Sequence, residues 1–267
     1  MKTRIISGIL MLPLLIVVWL GGIWITALCI LIGFIGIREF YNGFEAMDVH
    51  PSYSIAYVAL FFLYLVNGLQ PESHELILAW IALVIVAGSI YMFNTEKRDT
   101  ADAMATILGI IYVEFFSFHV VLTDGTGEYH ILIWLIFLSA FGADIFAYFT
   151  GLLIGKHKLC PTLSPKKTTE GAIGGVIGAT AVCCIFAAFF CDYLMMHCLI
   201  IGCLGSIISM FGDLTASAYK RKMGIKDYGN LIPGHGGVMD RIDSVLFTAP
   251  FVYYYIRIVL VGGVSIT

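Results

Sequence analysis

Charge is scarce in this chain. Lys, Arg, Asp and Glu make up 12% of its 267 residues, and 60% are hydrophobic, whereas a soluble domain carries about 25% charged residues. With a mean hydropathy of +0.93, that scarcity excludes an ordinary soluble domain. Segments of about ten residues alternating apolar with polar are also missing, which excludes a pore-type β-barrel. The seven cysteines (Cys29, Cys160, Cys183, Cys184, Cys191, Cys198 and Cys203) contain no CxxC pair, so they read as small apolar filler rather than thiolate ligands or a redox couple. No GxxxxGK[ST] phosphate loop occurs, nor any nucleic-acid-binding motif. The opening MKTRIISGILMLPLLIVVWL lacks a small-residue cleavage site and runs almost directly into another apolar stretch. It therefore reads as a retained first span rather than a leader.

What the chain has instead is a succession of apolar runs of about 20 residues, the length that crosses a bilayer. Nine spans are expected, near 6–21, 23–42, 51–69, 74–94, 102–123, 130–154, 172–190, 194–212 and 243–264. The fold class is all-α, a polytopic integral membrane bundle, with 1–267 as one domain. Only Gly21 and Gly22 separate the first two spans. The fifth carries Glu114 and His119 and is expected to face other protein. Threading nine spans puts Lys2, Arg4, Arg38, Lys97, Arg98, Lys156, Lys158, Lys166, Lys167, Lys220, Arg221, Lys222, Lys226 and Arg241 on one side. Arg257, inside the last span, is the exception. The positive-inside rule makes the basic side cytoplasmic, in a cell membrane. Membrane lipids and a cytosolic polyphosphate are then the fitting partners, and nucleic acid is not.

Two polar segments interrupt this pattern. The first, GKHKLCPTLSPKKTTEGAIGG, offers Lys166 and Lys167 as point charges for phosphate, with Thr168 or Thr169 placed to cap the helix near Glu170. Taken alone, it equally describes a basic, lipid-facing inside loop. The second runs from Phe211 to Asp243 and holds four Asp and five Lys or Arg. If the eighth helix continues past the membrane boundary, Asp213, Ser217 and Lys220 or Arg221 share one side of it. Asp240 and Asp243 stand three apart at the entrance to the last span. Carboxylates, cations and glycine-rich backbone together suit a Mg-nucleotide site, because Mg²⁺ is usually held by one or two carboxylates plus substrate phosphates. The competing account is that these charges pair and cap two helices. Asp144, in FGADIFAYFTG, is a further carboxylate inside or near the cytoplasmic half of a span, where an unpaired charge is costly. Glu114 and Arg257 read as pairing within the bundle, and His235 is a loop histidine whose glycine neighbours suit contact with a ligand.

At these residues the sequence resembles the CDP-diglyceride synthetases, also called phosphatidate cytidylyltransferases. Their C-terminal signature appears as SAYKRKMGIKDYGNLIPGHGGVMDRID, Ser217 to Asp243, and a second block as DIFAYFTG followed by SPKKTTEGAIGG. Departures are mild: Ile145-Phe146 stands where a small Thr-Gly pair is common, and Tyr219 where an aliphatic residue is frequent. The resemblance implies a CTP-dependent nucleotidyltransferase of phospholipid biosynthesis. It converts CTP and phosphatidic acid to CDP-diacylglycerol and pyrophosphate, using Mg²⁺ with or without a second, monovalent or divalent, cation. It also implies a homodimer. Asp213 and Asp240 are the implied metal ligands. Lys220, Arg221, Lys226, Asp227, His235, Arg241, Asp243 and Asp144 are the implied reacting-centre residues. Ser164, Lys166, Lys167, Thr168 and Ser217 are implied to close on the nucleotide.

Two other functions compete with this one. A CTP-dependent kinase acting on a polyprenol or another lipid alcohol would need a similar site but would transfer the γ-phosphoryl group. An ion-coupled transporter could use Asp144, Glu114 and Arg257, but the chain shows no internal repeat of the transporter kind.

Overall fold

The computed structural model describes residues 15–71, 73–231 and 236–263. Among them, seven helices are long and apolar enough to cross a membrane: α1 (Gly22–Glu45), α3 (His74–Tyr91), α4 (Thr100–Asp124), α5 (Gly127–Ile154), α6 (Thr169–Phe190), α7 (Asp192–Lys222) and α8 (Met239–Val261). The helix α2 (Tyr53–Leu69) is apolar but has 17 residues. The chain is a polytopic helical membrane protein. The expected first span lies largely outside the described residues, although 15–20 are helical. The break after it falls at Gly21 and Gly22, whose φ values of 59° and 52° are left-handed, a conformation glycine adopts without a Cβ penalty.

The ends of the helices follow local chemistry. Ser52 and Ser73 accept hydrogen bonds from Ile55 N and Leu76 N at the starts of α2 and α3. Asp99 and Asp102 form a reciprocal capping box at the start of α4, satisfying donors that the first helical turn leaves over. The α4 span is the most enclosed of the seven, with 78% of its apolar window buried against 17% for α3. This agrees with the expectation that the Glu114 and His119 helix faces protein. Within α4, Ile110–Phe115 is wound as a π-helix. The same widening recurs at the end of α8, over Ile256–Val261 around Arg257.

By its packing the chain divides into two compact units, Met1–Phe118 with Lys222–Arg241, and His119–Arg221 with Ile242–Thr267. The 213–243 signature is thus shared between them.

In the first unit, α1 packs closely on α4: a Cβ on Gly36 would press on Val113, and one on Gly109 would strike the Tyr41 ring. Tyr41 donates its hydroxyl to the Thr106 carbonyl at 2.7 Å.

In the second unit, α6 lies directly on α5. Gly171, Gly174, Gly175 and Gly178 form one stripe, and added Cβ atoms there would meet the Ala147 carbonyl, Thr150, the Ala143 carbonyl and Phe146 in turn. Small residues at such spacing let membrane helices approach to backbone contact. Between α5 and α6 the polar segment folds into a small antiparallel hairpin, β1 (Lys158–Cys160) and β2 (Ser164–Thr168). Strands here were not anticipated. Gly205 of α7 packs against Ser139 and Thr248, and Gly212 lies so close to α8 that a Cβ would stand 2.7 Å from the Asp243 carbonyl.

Candidate active site

Most of the candidate site residues lie in the second unit. Helix α7 continues without interruption from the apolar run through Lys222, so Asp213, Ser217 and Lys220 fall on one side as the helical spacing requires. Ser217 Oγ donates to Asp213 Oδ1 at 3.4 Å. Lys167, from β2, forms an ion pair with Asp213 Oδ2. Both side chains keep about a quarter of their surface exposed, 26% and 23%. Alternation along β2 separates the two lysines: Lys166 is exposed while Lys167 is half-buried.

The hairpin is held at its base by Thr168 and Glu170. Thr168 caps α6, accepting from Gly171 N at 3.1 Å, as the sequence suggested. Its hydroxyl also sits where Cβ atoms on Gly151 and Gly155 would go, which ties the end of α5 to the start of α6. Glu170 accepts from Lys156 N and His157 N and bonds to His157 Nδ1 at 2.6 Å. Ser164 is half-buried and pairs in register with Cys160. Arg221 donates from Nε to the Leu163 carbonyl at 3.4 Å, so the tip of the hairpin is held against α7.

On α8, Asp243 is buried and accepts from Ser244 N at 2.8 Å. Asp213, Lys220 and Asp144 all act on it electrostatically. Ser244 Oγ donates to Asp144 Oδ2 at 3.4 Å, and Asp144 itself is exposed on α5. Three carboxylates, three cations (Lys167, Lys220 and Arg221) and two serine hydroxyls are thereby assembled from α5, β2, α7 and α8. Asp144 is thus an exposed acid that accepts a hydroxyl hydrogen bond. Ser244 was not foreseen, since a serine beside an aspartate in a span carries no signal of its own.

In the first unit, Lys226 and Asp227 are exposed. The next residue, Tyr228, donates its backbone N–H to Asp240 Oδ2 at 2.8 Å, and Gly237 N donates to the same oxygen at 2.9 Å. Asp240 is buried, and one of its oxygens gathers the loop in front of α8. Arg241 Nε is buried without a hydrogen-bond partner among the described residues. His235 lies outside them. A further carboxylate, Glu39 of α1, accepts from Met239 N at 2.9 Å. Sequence reasoning passed over it, although an acid within an apolar span is itself a signal.

Among the described residues no group of three or more His, Cys, Asp or Glu forms a metal cage. Mg²⁺ does not require one, because substrate phosphates complete its octahedron. The hard oxygens of Asp213, partly exposed and paired among the described residues with a lysine and a serine hydroxyl, fit that mode of binding.

A protein-family model described as the cytidylyltransferase family matches residues 2–259. The chain is similar to proteins named phosphatidate cytidylyltransferase from three bacteria. The Synechocystis sp. protein is 32% identical, with 96% of this chain and 97% of the relative covered. The Staphylococcus saprophyticus protein is 33% identical over 93% of this chain and 94% of its own length. The Thermotoga maritima protein is 30% identical, with 97% of each covered.

Proposed function

The chain belongs to the cytidylyltransferase family, and from that premise we propose that it transfers CMP from CTP to phosphatidic acid, with Mg²⁺, at the cytoplasmic face of the cell membrane. The observation that carries this reading is the meeting of Lys167 with Asp213. It joins the two polar segments of an otherwise apolar chain into one anion-binding, cation-binding surface.

The lipid phosphate is already a nucleophile near neutral pH, so the reaction asks little of a general base. One of its oxygens attacks the α-phosphorus of CTP, and the bond to the β-phosphate oxygen breaks in line. Pyrophosphate leaves with the electron pair, and CDP-diacylglycerol remains in the membrane. Catalysis then rests on positioning and charge stabilisation. Lys167, Lys220 and Arg221 are the cations for the triphosphate and the lipid phosphate; the unpartnered Arg241 Nε supports a similar role for Arg241. Lys226, Asp227 and His235 are proposed as contacts on the strength of the signature alone. Ser164, Lys166, Thr168 and Ser217 would line the nucleotide side. Asp213 and Asp240 are the proposed Mg²⁺ ligands, with Asp243 and Asp144 completing the acidic set. When bound, the metal would neutralise charge on phosphoryl oxygens, and a second cation, monovalent or divalent, is compatible with the number of acids.

Phosphatidic acid stays in the bilayer, since each buried CH₂ is worth about 0.8 kcal/mol. CTP arrives from the cytosol, which suits a site built from the basic side of the topology. The homodimer is part of the same proposal and is supported by the resemblance.

The test is purified protein in detergent with labelled CTP, phosphatidic acid and Mg²⁺, followed by identification of the lipid product. A CMP-bearing lipid is expected. A lipid carrying only an added phosphate would move the chain to the CTP-dependent kinases, and no Mg²⁺-dependent product would overturn the proposal.

A further inference from the structure

Glu39 sits within an apolar helix yet is 7% exposed and held by backbone rather than by a cation. Met239 N, at the first residue of α8, donates to its Oε2 at 2.9 Å, and the Val238 N–H is directed at the same carboxylate. An acid at a helix N-terminus satisfies orphan donors and complements the helix dipole. Here that acid comes from 200 residues away in the chain.

The same carboxylate fills the space above two glycines of the signature loop. A Cβ on Gly229 or on Gly237 would collide with Glu39, and at Gly237 the three nearest atoms all belong to its carboxyl group. Gly237 is therefore gripped twice: its N–H binds Asp240 Oδ2 and its Cα lies against Glu39. Asp240 in turn holds Tyr228 N. Gly237 is thus confined between two carboxylates, both drawn from the first unit.

We propose that Glu39 is a positioning residue that fixes the Gly236-Gly237 segment and the first turn of α8, and so sets the orientation of Asp240 and Arg241 for the reaction proposed above. It does not touch substrate and acts through the backbone it holds. The glycine signal in this segment acquires a reason: a side chain at Gly237 would have to push the Glu39 carboxyl group off the backbone it holds.

The experiment uses the full-length protein in detergent, with amide hydrogen exchange and Mg²⁺-dependent CMP transfer measured on each variant. Glu39→Ala should raise exchange across 228–239 selectively. It should lower kcat at least tenfold, with KM for CTP changed less than threefold. Glu39→Gln, which keeps a carbonyl acceptor at the same reach, should stay within threefold of the parent in kcat. Gly237→Ala should cost at least tenfold in the parent background but less than twofold on top of Glu39→Ala, because the clash partner is gone. Should Glu39→Ala fail to fold, Glu39→Asp, one methylene short, carries the same expectation. Parental exchange across 228–239 and parental kcat in Glu39→Ala or Glu39→Asp, or additive losses in the double variant, would overturn the proposal. Absence of CMP transfer by the parent protein would count against the proposed reaction instead, and the exchange data would still decide the role of Glu39.

Discussion

Lys167 and Asp213 form an ion pair across 46 residues of sequence, strand β2 to helix α7. The pair keeps about a quarter of its surface exposed, so solvent still screens the attraction and its contribution to stability is small; exposed pairs are worth about 0–1 kcal/mol. In the proposed reaction its value would lie in holding an ammonium and a carboxylate side by side, where a phosphate and a divalent cation would separate them.

The first expectation concerns the two adjacent lysines. Lys167→Ala should lower kcat/KM for CTP by about tenfold or more, the scale of a charged group stabilising a phosphoryl transition state. Lys166→Ala should cost less, about threefold, since that side chain is exposed and would meet the nucleotide only from the rim of the proposed site. Initial rates over a CTP series separate them. Equal losses would show that the alternation of the hairpin does not govern contact.

Asp213→Asn and Asp240→Asn each keep size but remove a charged oxygen. Each should reduce Mg²⁺-dependent CMP transfer by at least about tenfold, and the double variant should lose less than the product of the two, as coupled sites do. Lys222→Ala, beside the matched Lys-Arg pair and exposed, serves as the contrast and should be close to the parent. A double Asp variant with ordinary Mg²⁺-dependent rates would remove both residues from metal binding.

How much of this could be read from sequence depends on the range of the interaction. The second to ninth apolar helices, the Gly21-Gly22 break, the Thr168 cap and the Asp213–Ser217–Lys220 face follow from local periodicity and side-chain chemistry, and each appears in the structure; the first expected span lies largely outside the described residues. The β hairpin was missed because Pro161, Pro165 and the lysine run look like a loop without their pairing partner. The π-wound turns around Glu114 and Arg257 leave no trace in hydropathy. Glu39 stands out as an acid within an apolar span, but its role was illegible for a different reason. Its partners are backbone N–H groups, which every sequence has, at a position set only by tertiary folding.

Asp144 offers a sharper test of site against scaffold. Asp144→Asn should lower turnover at least about fivefold while the protein remains folded and extractable, because an exposed acid contributes little to packing. Ser244→Ala should have a smaller effect of the same kind. Size-exclusion profiles alongside rates decide the matter: aggregation of Asp144→Asn would assign it to structure, and parental activity would dismiss it from the site.

The Thr168 cap can be checked by stability alone. Thr168→Ala removes an N-cap and should cost about 1 kcal/mol, read as a lowered unfolding midpoint in detergent. Thr168→Ser keeps the hydroxyl and should recover most of it. An unchanged midpoint in the Ala variant would mean that the Gly171 contact is incidental.

Sidedness has a direct assay. Single cysteines placed at Lys97, Lys166 and Lys222 should react with a membrane-impermeant reagent only after the cell is opened, and one at Gly125 should react in intact cells. This follows from the distribution of basic residues. Labelling of the Lys166 site from outside would reverse the orientation.

The unbroken length of α7 has one more implication. At about 1.5 Å per residue, its 31 residues rise roughly 46 Å, whereas the hydrocarbon layer is about 30 Å thick. Counted from Asp192, the helix has climbed about one layer thickness when it reaches Asp213. With Asp192 at one edge of the hydrocarbon layer, the helix would work as a depth gauge, with Asp213 near the headgroups of the far leaflet and the later Ser217, Lys220 and Arg221 progressively farther out. In the proposed reaction a phosphate ester anchored by its acyl chains would then meet the carboxylate at its own resting level, while a soluble triphosphate would be drawn down along the cations above it. Neither reactant has to leave its phase.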